Sequence, residues 1–252
     1  STPILLCAAA LLCGLVTTGR AAAELVYATS FSTGELIRYD SAAPATTRTV
    51  LSGSGSLVKP GAIAYGPDGN LYIGEDGDGA SFAPRITRFD LATLTLSTVQ
   101  TFGLFQVFPG SFAFKGNDLL VGRNPFYGDI GPIVRVTNVT GGVVAVNDYT
   151  SGGSLASSPG LALAADGSLY VADQTYNFVS GIATGPVKRF DAAGVYVGEV
   201  IASGSSGLLG PTGLAISGST LFTASIMAGT ILQTNLAGDV TQPFANTGGS
   251  FE

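Results

Sequence analysis

The chain of 252 residues contains no histidine, no tryptophan, a single methionine and two cysteines. Without imidazole there is no Ser-His-Asp or Cys-His nucleophile and no His-ligated zinc or haem. Charged side chains are only 11% of the chain, well below the roughly 25% of an ordinary soluble protein. The 11 Lys and Arg face 17 Asp and Glu, giving a formal charge of −6. That balance excludes a nucleic-acid partner, which needs a basic patch. The G-x-S-x-G elbow, the G-x-x-x-x-G-K-[ST] phosphate loop and a helix-opening G-x-G-x-x-G are all missing. No catalytic residue is assigned.

Both cysteines, Cys7 and Cys13, fall in the uncharged apolar run PILLCAAALLCGLVTT at 3–18. The run is short for a membrane span and is followed by Ala21-Ala22-Ala23, which suits signal peptidase. Residues 1–23 are expected to be a secretory signal, with Glu24 opening a secreted or cell-surface domain over 24–252. Leu6 and Leu12 stand where a lipoprotein anchor needs a small residue before the cysteine. Beyond the leader there is neither a thiol nor a membrane-spanning run, so stability has to come from a core.

What the chain has in quantity is turn formers, 36 Gly and 12 Pro, and they recur at a fixed interval. Four segments open alike: KPGAIAY from Lys59, FPGSFAF from Phe108, SPGLALA from Ser158 and GPTGLAI from Gly210. Their prolines stand at 60, 109, 159 and 211. Each is followed by a second apolar run, NLYIGED, DLLVGRN, SLYVADQ or TLFTASI, and ELVYATS at Glu24 is a fifth copy without the proline segment. A third run (LIRYD, ITRFD, IVRVT, VKRFD, ILQTN) and a weaker fourth (TTRTV, LSTVQ, VVAVN, VGEVI, DVTQP) complete each unit. No stretch past residue 23 sustains a 3.6-residue apolar period. Four short strands per repeat of 40 to 50 residues predict an all-β fold, a β-propeller of four-stranded antiparallel blades. Asp68-Gly69 and Asp166-Gly167 are expected to turn between first and second strands, with each glycine at positive φ.

About five blades are present, the first with three strands. The final GGSF at 248–251 echoes PGSF at 109–112. The reading is therefore a propeller cut short, a fragment of a six-bladed parent, in which residues 24–31 form a strand lacking its inner partner.

PGLALAADGSLYVADQ (159–174) with VKRFDAAG (187–194), and PGAIAYGPDGNLYIGED (60–76) with ITRFD (86–90), resemble one known group. They are similar to the NHL-repeat and gluconolactonase-like (senescence marker protein-like) six-bladed propellers. The resemblance spans about residues 24–245 and is specific for the blade type. It implies a ligand face over the central channel. In the lactonases of that group it also implies a divalent metal held by a Glu, an Asn after the blade proline and a later Asp. Here Gly61, Gly110, Gly160 and Thr212 occupy the position after the proline. The chain thus departs from the family at a metal ligand.

The start of each first strand and the end of each second strand share one end of the channel. That places Lys59, Glu75, Asp76, Arg123, Asn124, Asp173, Gln174, Thr212 and Ser225 there as candidate binding residues for a small molecule, glycan or protein. Glu75, Asp76 and Asp173 are the candidate ligands of calcium or another divalent metal, the one cofactor under consideration. The stretch Glu75-Asp76-Gly77-Asp78-Gly79 lacks the twelfth-position Glu of an EF-hand, and a hairpin turn is the competing reading. Arg38, Arg88, Arg135 and Arg189, with Gln233, recur in the third strands, expected to pack between blades and pair with Asp40, Asp90 or Asp191. Tyr72, Tyr170 and Phe222 read as blade core. Asn138-Val139-Thr140 fits a glycosylation sequon, a pattern frequent by chance. Three functions are compatible with this inventory: a secreted non-catalytic binding or scaffold propeller, a metal-dependent lactonase-type hydrolase, or a structural repeat domain of a larger surface protein.

Overall fold

Short β-branched and aromatic runs separated by Gly, Asp and Pro can satisfy their backbone only by pairing with neighbours. The computed structural model describes residues 24–78, 82–103, 106–123, 131–142, 145–239 and 241–246. The expected leader, Asn124 and the stretch after Asn246 lie outside them. Blade 1 is three-stranded: β1 (Leu25–Ser30), β2 (Glu35–Asp40) and β3 (Thr49–Ser52). Blade 2 has four strands, β4 (Pro60–Tyr65), β5 (Leu71–Glu75), β6 (Arg85–Asp90) and β7 (Thr95–Thr101). Blade 3 follows with β8 (Pro109–Lys115), β9 (Asp118–Arg123), β10 (Val134–Val136) and β11 (Val146–Asp148).

Blade 4 comprises β12 (Gly160–Leu163), β13 (Leu169–Ala172), β16 (Val187–Phe190) and β17 (Tyr196–Ile201). An extra hairpin, β14 (Thr175–Asn177) and β15 (Ile182–Thr184), is inserted between its second and third strands. Blade 5 is β18 (Pro211–Ser217), β19 (Thr220–Ser225), β20 (Thr230–Asn235) and β21 (Thr241–Asn246). All strand pairs within the blades are antiparallel. The fold is therefore an all-β, five-bladed β-propeller.

Four apolar layers, one between each pair of consecutive blades, hold the array together. Leu36, Leu57, Leu71, Ile73 and Phe89 fill the first, and Tyr72, Ile86, Leu119, Val121 and Val136 the second. Leu120, Ile133, Leu169, Val171 and Phe190 form the third, and Tyr170, Val187, Leu208, Leu221 and Leu232 the fourth. Successive residues of a second strand alternate between layers, as period-two geometry requires. Tyr72 faces blade 3 while Leu71 and Ile73 face blade 1.

Around the channel β4 packs on β8, β8 on β12 and β12 on β18, with β1 against β4. No packing of comparable extent joins β18 to β1 among the described residues. Phe222, expected in the core, is accordingly only half-buried, and it stacks edge-on with Phe244, which is 56% exposed.

The turn glycines behave as the sequence implies: Gly69 has φ +76° and Gly167 φ +84°. Gly160 serves a different purpose, because a Cβ there would lie 1.7 Å from the Thr212 carbonyl oxygen of the next blade. Among the described residues no helix is long and apolar enough to cross a membrane.

Candidate functional site at the channel mouth

First strands run away from the mouth and second strands return to it, so Pro60 pairs with Glu75, Pro109 with Arg123 and Pro211 with Ser225. Asp173 holds the equivalent place in blade 4, one residue beyond the Gly160–Ala172 pair. These four side chains differ in charge and chemistry, yet each fastens the loop that leads into its own blade. Fully buried Glu75 accepts the Val58 N–H through Oε2 at 2.7 Å. Asp173 Oδ1 accepts the Ala156 N–H at 2.7 Å, and Ser225 Oγ the Leu209 N–H at 2.8 Å. Arg123 acts with opposite polarity, donating from Nη1 to the Gln106 carbonyl at 2.8 Å. A loop tucked against the channel wall has to find partners for its backbone groups, and the second-strand end supplies them.

The remaining predicted residues tie neighbouring segments together. Gln174 Nε2 donates to the Pro211 carbonyl of the next blade at 3.2 Å. The Arg123 N–H donates to Ser158 Oγ at 2.7 Å across the blade 3–4 boundary. Lys59 has φ +50°, a region non-glycine residues seldom take. Its carbonyl accepts the N–H of Asp76, a residue only 1% exposed. Thr212 is half-buried at the start of β18. Eight of the nine predicted residues thus stand at this end as described, and Asn124 lies outside the described residues.

Two of the three candidate ligands, Glu75 and Asp173, are already committed to cationic side chains. Both Glu75 oxygens are taken by Arg85, Nε to Oε1 at 2.8 Å and Nη2 to Oε2 at 2.9 Å, and the Thr87 hydroxyl also donates to Oε1. Asp173 Oδ2 receives Lys188 Nζ at 2.6 Å, and the same ammonium donates to the Ser154 carbonyl at 2.6 Å. Calcium would need six to eight oxygens uncommitted to cations. Among the described residues no three Asp, Glu, His or Cys gather into a possible metal cluster. Asp78 bonds Phe82 twice: its N–H donates to the Phe82 carbonyl and its Oδ1 accepts the Phe82 N–H at 2.7 Å.

The third-strand arginines pair differently from the sequence expectation. Arg88 Nε meets Asp68 at 2.9 Å, Arg135 Nε meets Asp118 at 2.8 Å and Arg189 Nη2 meets Asp166 at 3.5 Å. Of the expected pairs, Arg88 with Asp90 forms, at 3.4 Å, whereas Asp191 accepts the Ala193 and Val195 N–H groups instead. Register explains the correction. Each arginine lies opposite the second strand (Arg88 on Tyr72, Arg189 on Tyr170), beside the turn leading into that strand. Burial pushes Asp68 up, but hydrogen bonds from Asn70 and Arg88 outweigh it and hold the carboxyl below its usual value. The phenol of Tyr72 is pushed up to about 12 by burial and by Asp68 beside it.

Sequence reasoning missed the β14–β15 hairpin. Its tip carries Phe178 at 69% exposure and Val179 at 99%, the two most exposed large apolar side chains among the described residues. Ile182 is exposed beside them, and Tyr176 stacks edge-on with Phe178 at 4.9 Å. The signal was present as alternating Tyr176, Phe178 and Gly181 in TYNFVSGIAT, longer than the equivalent IMAG connection of blade 5.

No protein-family model matches the chain, and no curated protein matches it. Solved structures do, and those named here are of low identity. A streptogramin B lyase superposes with TM-score 0.63 at 14% identity, covering 88% of this chain and 65% of its own. A gluconolactonase from Xanthomonas campestris gives 0.61 at 15%, covering 80% and 65%. A chain of a nidogen/laminin complex gives 0.56 at 12%, covering 86% and 90%. The chain therefore spans about two thirds of the lyase and lactonase structures. At such identities the similarity establishes the fold alone.

Proposed function

We propose that this chain is a secreted, non-catalytic propeller that binds a protein partner through the loops at its channel mouth. The observation that carries this reading is the β14–β15 hairpin, which holds Phe178 and Val179 out in water. Exposed apolar groups of this kind mark interaction surfaces. Of the side chains a lactonase-type site would use at the mouth, Glu75, Asp76 and Asp173, the first and last are already neutralised by Arg85 and Lys188. Export rests on the apolar run at 3–18 and the alanines at 21–23. N-terminal sequencing of secreted protein should start at Glu24, and a product starting at Ser1 would contradict it.

A photo-crosslinking residue at position 179 tests the binding reading, with one at Val197 on the opposite rim as the control. Saturable adducts with a single surface protein at 179, and none at 197, are expected. Equal labelling at both positions would overturn the reading. So would hydrolysis of gluconolactone by the purified protein in millimolar calcium, zinc or manganese.

A further inference from the structure

Resting on the hairpin reading above, we propose that the binding surface runs on from β14–β15 over the junction of blades 4 and 5, with Leu209 and Met227 in it. It fits an uncharged, apolar face of a partner protein. The root of the hairpin packs at this junction. A Cβ on Gly210 would lie 2.8 Å from that of Ala183, 2.9 Å from Ile226 Cγ2 and 3.3 Å from Met227 Cγ, so β15 and the blade 5 connection converge on one glycine. The Gly185 N–H donates to Ser203 Oγ at 3.1 Å, and the Met227 N–H to the Leu209 carbonyl at 3.2 Å. Here Ile182 is 47% exposed, Leu209 38% and Met227 37%, with the tip residues Phe178 and Val179 beyond Ile182. Met227 is the single methionine of the chain, a flexible and polarisable side chain that can mould itself to a partner.

Charge decides what this surface fits. No Asp, Glu, Lys or Arg occurs from Gln174 to Val187 or from Val200 to Gly238. The flanking Asp173 and Lys188 are largely buried and answer each other at 2.6 Å. A chain of formal charge −6 thus presents a neutral sector at this end of blades 4 and 5. A charged group pressed against it would lose its hydration and meet no counter-charge, a net cost. An apolar group would gain in proportion to the area it withdraws from water. A lipid surface fits less well, because anionic headgroups attract basic segments and this acidic chain offers none here.

Photo-crosslinking residues placed singly at 209 and 227 of the full chain, beside the one at 179, test this surface. All three should label the same protein, identified by mass spectrometry. Adduct yield should hold within about twofold between roughly 0.05 and 1 M sodium chloride, because no ion pair is there to be screened. As unlabelled competitors of the position-179 adduct, Met227→Glu and Met227→Lys should each be weaker than wild type by about tenfold or more, a loss indifferent to sign. Labelling at 179 with none at 209 and 227 overturns the proposal and leaves the hairpin reading standing. So does an adduct that fades with salt, or a charge of one sign that strengthens competition, since either points to a charged partner face. Sedimentation of the protein with phosphatidylcholine vesicles, weakened by both Met227 variants, would put a lipid there and overturn it too. No adduct at 179 removes the hairpin reading and this surface with it. The probes at 209 and 227 decide the matter even if a charge variant does not fold.

Discussion

Replacing Glu75 by alanine removes one fully buried carboxylate and leaves three donors behind: the Arg85 guanidinium, the Thr87 hydroxyl and the Val58 N–H. Breaking a buried ion pair from one side costs about 3–5 kcal/mol, and an unsatisfied buried donor about 1–3. These terms overlap because they share one side chain, and Arg85, 23% exposed, can turn partly to water. The expected loss is about 4 kcal/mol, or roughly 8–16 °C in melting temperature for a chain of this size. Glu75→Gln keeps an acceptor for Val58 and should cost about half as much. Urea titration followed by circular dichroism reads these values directly. The double variant Glu75→Met/Arg85→Met should be more stable than Glu75→Met alone, because no charge is left stranded. A Glu75→Ala protein within about 1 kcal/mol of wild type would refute the assignment of Glu75 as a fastening.

Gly69→Ala meets no atom within 4 Å, so only the φ of +76° opposes it; a loss of about 1 kcal/mol is expected in the same titration. Gly160→Ala, aimed at the Thr212 carbonyl, should cost several times more or abolish folding, and equal midpoints for the two would contradict the channel packing. Asp68, Asp118 and Asp166 all titrate below the usual carboxyl value in the folded protein. Their stabilisation is thus complete above about pH 4 and is lost as pH falls below it. Thermal melts should show that decline in acid, and Asp118→Asn should flatten it.

Blade type, blade order and the inner strands of each blade, though not the β14–β15 hairpin, were legible in the sequence because the proline and Asp-Gly positions repeat with the strands between them. The fourth strands were less so: TTRTV was expected at 46–50, and β3 runs from Thr49 to Ser52. An outer strand packs on few neighbours, so its composition is weakly constrained. Strand pairing puts the described candidate residues at one end of the blades, but the work they do there was hidden. Nothing in the spacing shows that Glu75 will meet Arg85, since that pairing depends on β5 and β6 lying in register, Glu75 on Arg85. The arginine ladder shows the same limit, because its partners come through strand pairing rather than from the nearest aspartate along the chain.

The fastenings at the second-strand ends have a consequence for how this architecture varies. Glu75 to Val58, Asp173 to Ala156 and Ser225 to Leu209 each close a loop within a single repeat. Chain beyond that point, up to the third strand, lies outside the closed loop. Blade 4 inserts a ten-residue hairpin there, from Thr175 to Thr184, while blade 5 crosses with Ile226 to Gly229. Both keep the same four-stranded sheet. A repeat that carries its own latch can be duplicated whole, and its outward connection rewritten, without renegotiating contacts with the rest of the ring. Foreign sequences grafted between Asn177 and Ile182 should therefore be tolerated where equal insertions between Ala156 and Pro159, inside the latch, are not.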